Sequence, residues 1–222
     1  MRKIFILSFD DGTVYDERFV ELLNKYDIPC TFNLNTGLED FTWYYGNTHP
    51  IRRLCLEEKK HIYDGHEIAS HSRTHPLLTA LRAPVLTAEV REDCARLREI
   101  FGDRELGFGV PFTACEEREI HLIRKFVRYI RLSEFQNSFE LPPDPYHIRI
   151  NGLYNDPDIR ERIEAFSQSP LPVSLFVLCG HSYEFEVLDQ WEYMEDLLNY
   201  IKSFHFEIMT TIEFVNTVLD PQ

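Results

Sequence analysis

The feature that most constrains this chain is its rhythm. Short apolar runs of strand length alternate with longer segments whose apolar residues recur at helical spacing. Residues 3–9 form an apolar, strand-forming run, and residues 16–26 then place Phe19, Val20, Leu22, Leu23 and Tyr26 on one helical face, with Asp16 as N-cap. Residues 29–34 and 67–70 read as the second and third strands. Between them a helix over 54–64 is stopped by Gly65. Residues 87–101 read as a helix capped by Thr87 and closed by Gly102. Further strands are expected near 105–110, 127–132, 147–150, 173–179 and 207–210, with helices over 116–126, 158–166 and 189–204 and a short closing helix. About seven or eight such units predict an α/β fold: a distorted or incomplete (β/α) barrel, with residues 1–222 as a single domain. An open doubly wound sheet is the alternative. Two stretches, 38–53 and 133–146, fit neither pattern; both carry aromatics (Trp43, Tyr44 and Tyr45; Phe135 and Phe139) and are long enough to wall a binding site or simply to pack onto the body.

Composition narrows the partners. Against 23 Lys and Arg stand 37 Asp and Glu, a formal charge of −14, which on average repels polyanions; nucleic acid and anionic membranes are therefore not expected as partners. No run reaches the roughly 18 apolar residues of a membrane span. The opening residues have only four apolar positions before Ser8, short of the roughly 7–15 of a secretory core, so they read as a strand. The five cysteines have no CxxC spacing, and Cys30 and Cys179 lie in apolar runs where a buried thiol is expected. These features predict a cytoplasmic protein. Oligomeric state is not legible.

Chemistry concentrates where strands end. Asp10-Asp11-Gly12 follows the first strand; adjacent carboxylates repel unless a cation or shared proton relieves them, and the alternation of side chains lets the two serve different tasks. His71 and His75, four apart after the third strand, can converge on one ion, and imidazole with carboxylate suits Zn²⁺ and neighbouring transition metals. In a (β/α) barrel, catalytic groups gather at the strand C-termini. Asp10, Asp11, His71, His75, the segment Gly109-Val110-Pro111-Phe112 and His181 all fall at that end.

These residues resemble those of a known family. Ser8-Phe9-Asp10-Asp11-Gly12 is similar to the first motif, Thr-Phe-Asp-Asp-Gly, of the polysaccharide deacetylases that share the NodB homology domain (carbohydrate esterase family 4). His71-Ser72-Arg73-Thr74-His75 resembles the second, His-(Ser/Thr)-x-x-His, and the lead-in Gly65-His66-Glu67-Ile68 is typical too. The likeness runs over residues 4–214. It implies one divalent ion, Zn²⁺ with Co²⁺ or Ni²⁺ as alternatives, held by Asp11, His71 and His75. It implies Asp10 as the base that activates water, and His181, in a Leu-x-His region carrying one extra residue, as the general acid. The third motif departs: Gly109-Val110-Pro111-Phe112 stands where Arg-x-Pro-Tyr is usual. The Phe112 backbone N–H still suits an oxyanion. The arginine that would hold Asp10 is absent at Gly109, leaving Arg73 and Arg131 as substitutes. No motif marks the acid that orients His181, although Asp156 and Asp158 lie in the right part of the chain.

The resemblance thus implies a metal-dependent hydrolase that deacetylates an N- or O-acetylated carbohydrate. Two other readings stand beside it: hydrolysis of a small cyclic amide or ureide, and a non-catalytic, metal-bearing carbohydrate-binding protein.

Overall fold

In the computed structural model, which describes residues 1–221, the opening run is a nine-residue strand, β1 (Arg2–Asp10). Its two faces enter different cores. Ile4 and Ile6 join Ala69, Tyr129, Leu175 and Val177, whereas Phe5, Leu7 and Phe9 join helix residues such as Phe19, Leu23, Leu86 and Val90. The period of two therefore separates a barrel interior from a helix-facing layer. Continuing the interior face upward gives Ser8 and then Asp10.

The other strands are β2 (Thr31–Leu34), β3 (Thr42–Tyr45), β4 (His49–Arg52), β5 (Glu67–Ser70), β6 (Phe108–Gly109) and β7 (Ile130–Phe135). They continue with β8 (Ile148–Ile150), β9 (Gly152–Leu153), β10 (Val173–His181) and β11 (Glu207–Ile208). All but β3 and β4 form one parallel sheet ordered β8-β7-β6-β5-β2-β1-β10-β9. Its two ends are separated by Asn151 alone, so a single segment pairs with β7 through Ile148 and Ile150 and with β10 through Gly152 and Leu153. Asn151 completes the join: its N–H donates to Val177 O at 2.8 Å and its Oδ1 accepts from Val177 N at 2.9 Å. The last strand, β11, pairs with Ile4 and Phe5, beside the lower half of β1, whose upper half pairs with β2. This is the distorted or incomplete barrel expected from the alternation.

Helices cover the outside: α1 (Asp16–Lys25), α2 (Leu56–Lys59), α3 (Ala83–Phe101), α4 (Glu117–Ile123), α5 (Ile159–Ser167), α6 (Ser182–Val187) and α7 (Trp191–Ser203). The last, α8 (Thr211–Phe214), instead turns inward, and Met209, Phe214 and Val215 close the interior core. No helix among the described residues is long and apolar enough to cross a membrane.

Local departures from the sequence reading have physical causes. Asp16 is not the N-cap of α1: Tyr15 is, and the Asp16 carboxylate is buried, accepting from Tyr63 Oη at 2.7 Å and from Ser182 Oγ. Thr87 likewise lies inside α3, which begins at Ala83 with Pro84 in its first turn, where a missing N–H costs no helical bond. The seventh strand starts at Ile130 and runs on to Phe135. The unassigned stretch 38–53 contains the antiparallel hairpin β3–β4, whose aromatic residues hid its period of two.

Candidate active site

Strand register brings the chemistry together. Asp10 lies opposite His181 of β10 on one side and Asn33 of β2 on the other, while Gly109 lies opposite Arg131. The metal-ligand candidates Asp11, His71 and His75 offer ligand atoms all within 4.8 Å of one another. His71 Nδ1 donates to the Gly109 carbonyl at 2.8 Å. That bond sets the tautomer and leaves the Nε2 lone pair free, the usual support for a metal-ligating imidazole. Burial lowers His71 to about 4 and lowers His75 as well, so both rings are neutral at physiological pH. For Asp11, burial would raise the carboxyl, but Arg53 first, then His181 and His71, hold it down at about 2. A deprotonated carboxylate beside two neutral imidazoles is a donor set that fits a divalent ion of the Zn²⁺ type.

Asp10 sits next to this set without belonging to it. Its Oδ1 accepts from Asn33 Nδ2 at 2.7 Å and from Arg131 Nη2. Its Oδ2 lies 4.0 Å from His71 Nε2 and 3.7 Å from Cys179 Sγ. Burial again works against the charge, and Arg131, His71 and His181 outweigh it, holding Asp10 below the usual carboxylate range. Arg131 is itself fully buried, and it takes the place left by the third-motif arginine. Gly109 makes that possible: a Cβ there would stand 2.7 Å from Arg131 Nη2 and 2.6 Å from Asn33 Cγ. The guanidinium comes from the neighbouring strand and needs the space a side chain at 109 would fill. Arg73, the other candidate, points elsewhere and pairs with Glu92 at 3.2 Å on the surface.

His181 has Glu184 for a companion. The Glu184 carboxylate lies 3.4 Å from His181 Nδ1, placed as an ion pair rather than as a hydrogen bond. Burial would lower this imidazole; Glu184, Asp11 and Asp10 more than reverse that and raise it to about 9. Asp156 and Asp158 are engaged away from it. Asp156 accepts from Leu153 N at 2.9 Å, and Asp158 accepts from Arg162 Nε at 2.9 Å. Glu184 escaped sequence reasoning although its position, three residues on at a helix start, is a detectable signal. Phe112 stands at the rim, half-exposed, its ring edge-on to His75 with centroids 4.6 Å apart. Asp11, Ser72, His75 and Phe112 all have positive φ (91°, 62°, 53° and 57°). Such backbone is costly for residues other than glycine, and four of the nine non-glycine residues that adopt it among the described residues lie at this site.

Sequence reasoning also missed Asn33, Asn35 and Arg53. Asn33 could have been seen, since it occupies the last interior position of a predicted strand. Arg53 lies at the end of an unassigned stretch and carried no signal.

The polysaccharide deacetylase family model matches residues 1–126. Among curated proteins, a chitin deacetylase of a Pestalotiopsis species is 30% identical over 99 residues, 44% of this chain and 30% of its own length. An uncharacterized 30.6 kDa protein of Geobacillus stearothermophilus is 25% identical over 130 residues, 56% of this chain and 44% of its own. The chain thus spans less than half the length of these curated relatives. Solved structures share the fold over the whole chain. The chitin deacetylase of Colletotrichum lindemuthianum gives a TM-score of 0.65 at 17% identity, covering 100% of this chain and 90% of that one. A family 4 carbohydrate esterase from Bacillus anthracis gives 0.62 at 16%, covering 97% and 83%.

Proposed function

Because the chain belongs to the polysaccharide deacetylase family, we propose that it is a metal-dependent hydrolase that removes an acetyl group from a carbohydrate. One observation carries this reading: Asp11, His71 and His75 converge beside a second carboxylate, Asp10, that is held ionised by a buried arginine. The names of the chitin deacetylases among the relatives support an N-acetylated sugar as substrate class.

Asp11, His71 and His75 would hold the ion, with Zn²⁺ the best match to the donors and Co²⁺ or Ni²⁺ as substitutes. When bound, such an ion supplies Lewis-acid polarisation of the acetyl carbonyl and lowers the pKa of water. Asp10 takes the proton from the attacking water. Arg131 and Asn33 occupy its Oδ1, which leaves Oδ2, contacted among the described residues only by the weak Cys179 thiol donor and His71, to act. Its depressed basicity suits water already acidified rather than bulk water. The Phe112 backbone N–H would stabilise the developing oxyanion. His181, kept protonated by Glu184, Asp11 and Asp10, donates to the leaving nitrogen or oxygen. The five free cysteines fit a reducing compartment such as the cytoplasm, and residues 1–222 act as one catalytic domain.

The test is acetate release from a panel of N- and O-acetylated mono- and oligosaccharides by protein loaded with Zn²⁺, Co²⁺ or Ni²⁺. Asp10→Asn should cut turnover by about 10²–10⁴-fold with metal content unchanged. Protein that binds none of these ions, or that loses nothing with Asp10→Asn, sinks the proposal.

A further inference from the structure

The oxygen of Asp11 that lies nearest His75 is already engaged. Arg53 Nη2 donates to Asp11 Oδ1 at 2.9 Å, while His75 Nε2 lies 3.7 Å from the same atom. Arg53 Nη1 donates to the Asp11 backbone carbonyl and to Asn35 Oδ1. The Asn35 amide completes the connection: its Nδ2 donates to the carbonyls of His71 at 2.6 Å and Ser72 at 2.7 Å. All three residues are buried, with Arg53 only 5% exposed. One guanidinium therefore grips Asp11 by side chain and main chain together, and one amide ties that grip to the segment bearing the histidines.

We propose that Arg53, acting with Asn35, is a positioning residue that fixes the metal ligand Asp11 against the His71 segment and so sets the metal affinity of the site. The inference rests on the metal-centre reading above. Its physical basis is the backbone. Asp11 at φ 91° and Ser72 at φ 62° occupy conformations that L-residues avoid, and they persist only where surrounding bonds over-determine them. The bonds to the Asp11, His71 and Ser72 carbonyls do this. The hairpin β3–β4 delivers the part: Arg53 follows it directly, bridges to Thr13 beside the Asp11 turn, and is covered by the Trp43 ring 4.9 Å from its Cζ.

The sign of the effect separates this role from simple electrostatics. A positive charge bonded to a ligating carboxylate opposes a second cation, so charge alone predicts that its removal tightens metal binding. Positioning predicts the reverse, since lost support of a ligand typically costs about 10–100-fold in metal affinity. The full chain, stripped of metal, is titrated with Zn²⁺ in competition with a chromophoric chelator, as wild type, Arg53→Met, Arg53→Lys and Asn35→Ser, with far-UV circular dichroism to confirm folding. The expected result is a 10–100-fold weaker affinity in all three variants, including Arg53→Lys, which keeps the charge but gathers its donors on one nitrogen and cannot reproduce the two-nitrogen fork that spans Asp11 and Asn35. Unchanged or tighter binding in either folded Arg53 variant overturns the proposal and leaves the metal centre standing. No Zn²⁺ binding by the wild type overturns both.

Discussion

A buried arginine and a buried carboxylate depend on each other more than either depends on water. Removing one partner of such a pair leaves an uncompensated charge and costs about 3–5 kcal/mol. Arg131→Gln should therefore lower stability by about that amount in urea unfolding, and it should lower the proposed deacetylation by at least about 100-fold as Asp10 loses the cation that keeps it ionised. Glu184→Gln should act differently. With the carboxylate gone, His181 loses its nearest anionic companion, and the alkaline limb of the rate profile should move to lower pH, with amide substrates slowed more than activated esters. An unmoved limb would remove Glu184 from the mechanism. At this scale the sequence is legible where a side chain's role follows from its own strand position: Asp10, Asp11, His71, His75 and His181 could all be placed at one barrel end. It is illegible where a role follows from an empty volume. That Gly109 makes room for Arg131 depends on two strands lying in register, which neither residue announces.

Elements were legible in proportion to the clarity of their periodicity. The long strands and α7 stand within a few residues of expectation because burial on one face imposes a period. The hairpin β3–β4 was hidden because β3 is Thr-Trp-Tyr-Tyr, whose alternation in burial leaves no alternation in hydropathy, and because β4 carries a proline and a single buried residue, Ile51. The inward turn of α8 was equally unforeseeable. Its capping box at Thr210 and Glu213 marks a helix start, but nothing in it says that the helix enters a barrel. Thr31 Oγ1 accepts from Thr211 N at 3.0 Å and Glu67 from Ile212 N at 2.9 Å, so the interior supplies acceptors for the first turn. Phe214, fully buried in this plug, is the residue to test. Phe214→Ala should cost about 3–5 kcal/mol, read as a lower urea midpoint, with metal affinity unchanged because the plug closes the end opposite the proposed ligands.

The whole molecule stores charge unfavourably, and stability should report it. Asp93, fully buried on α3, accepts from Thr36 N at 2.8 Å, Thr36 Oγ1 at 2.7 Å and Ser70 Oγ at 2.6 Å. Burial nevertheless raises its carboxyl from 3.8 to about 6. A raised folded-state value means that the group's contribution is whole below its ordinary range and is lost as pH rises through about 6. Asp93→Asn keeps an acceptor for Thr36 and offers a donor to Ser70, with no charge to bury. Relative to wild type it should therefore gain about 2–3 kcal/mol between pH 4 and pH 7.5 in paired urea titrations. A constant difference would show that Asp93 does not titrate in this window. Comparing the two proteins removes the opposing slope of His71, whose lowered value stabilises the fold as pH rises above about 4.

The join at Asn151 is where the two ends of the strand order meet. A ribbon and a tube built from the same strands differ only in whether their margins are sewn, and here the seam is one residue wide. Asn151 bonds Val177 on one side and donates its amide to Gln136 and Ser138 carbonyls on the other. Lengthening the chain there by one residue would offset the two margins by half a pleat, so the sheet would have to choose which neighbour to keep. The two margins, one beside Arg131 on β7 and the other beside His181 on β10, would then lose the residue that bridges them.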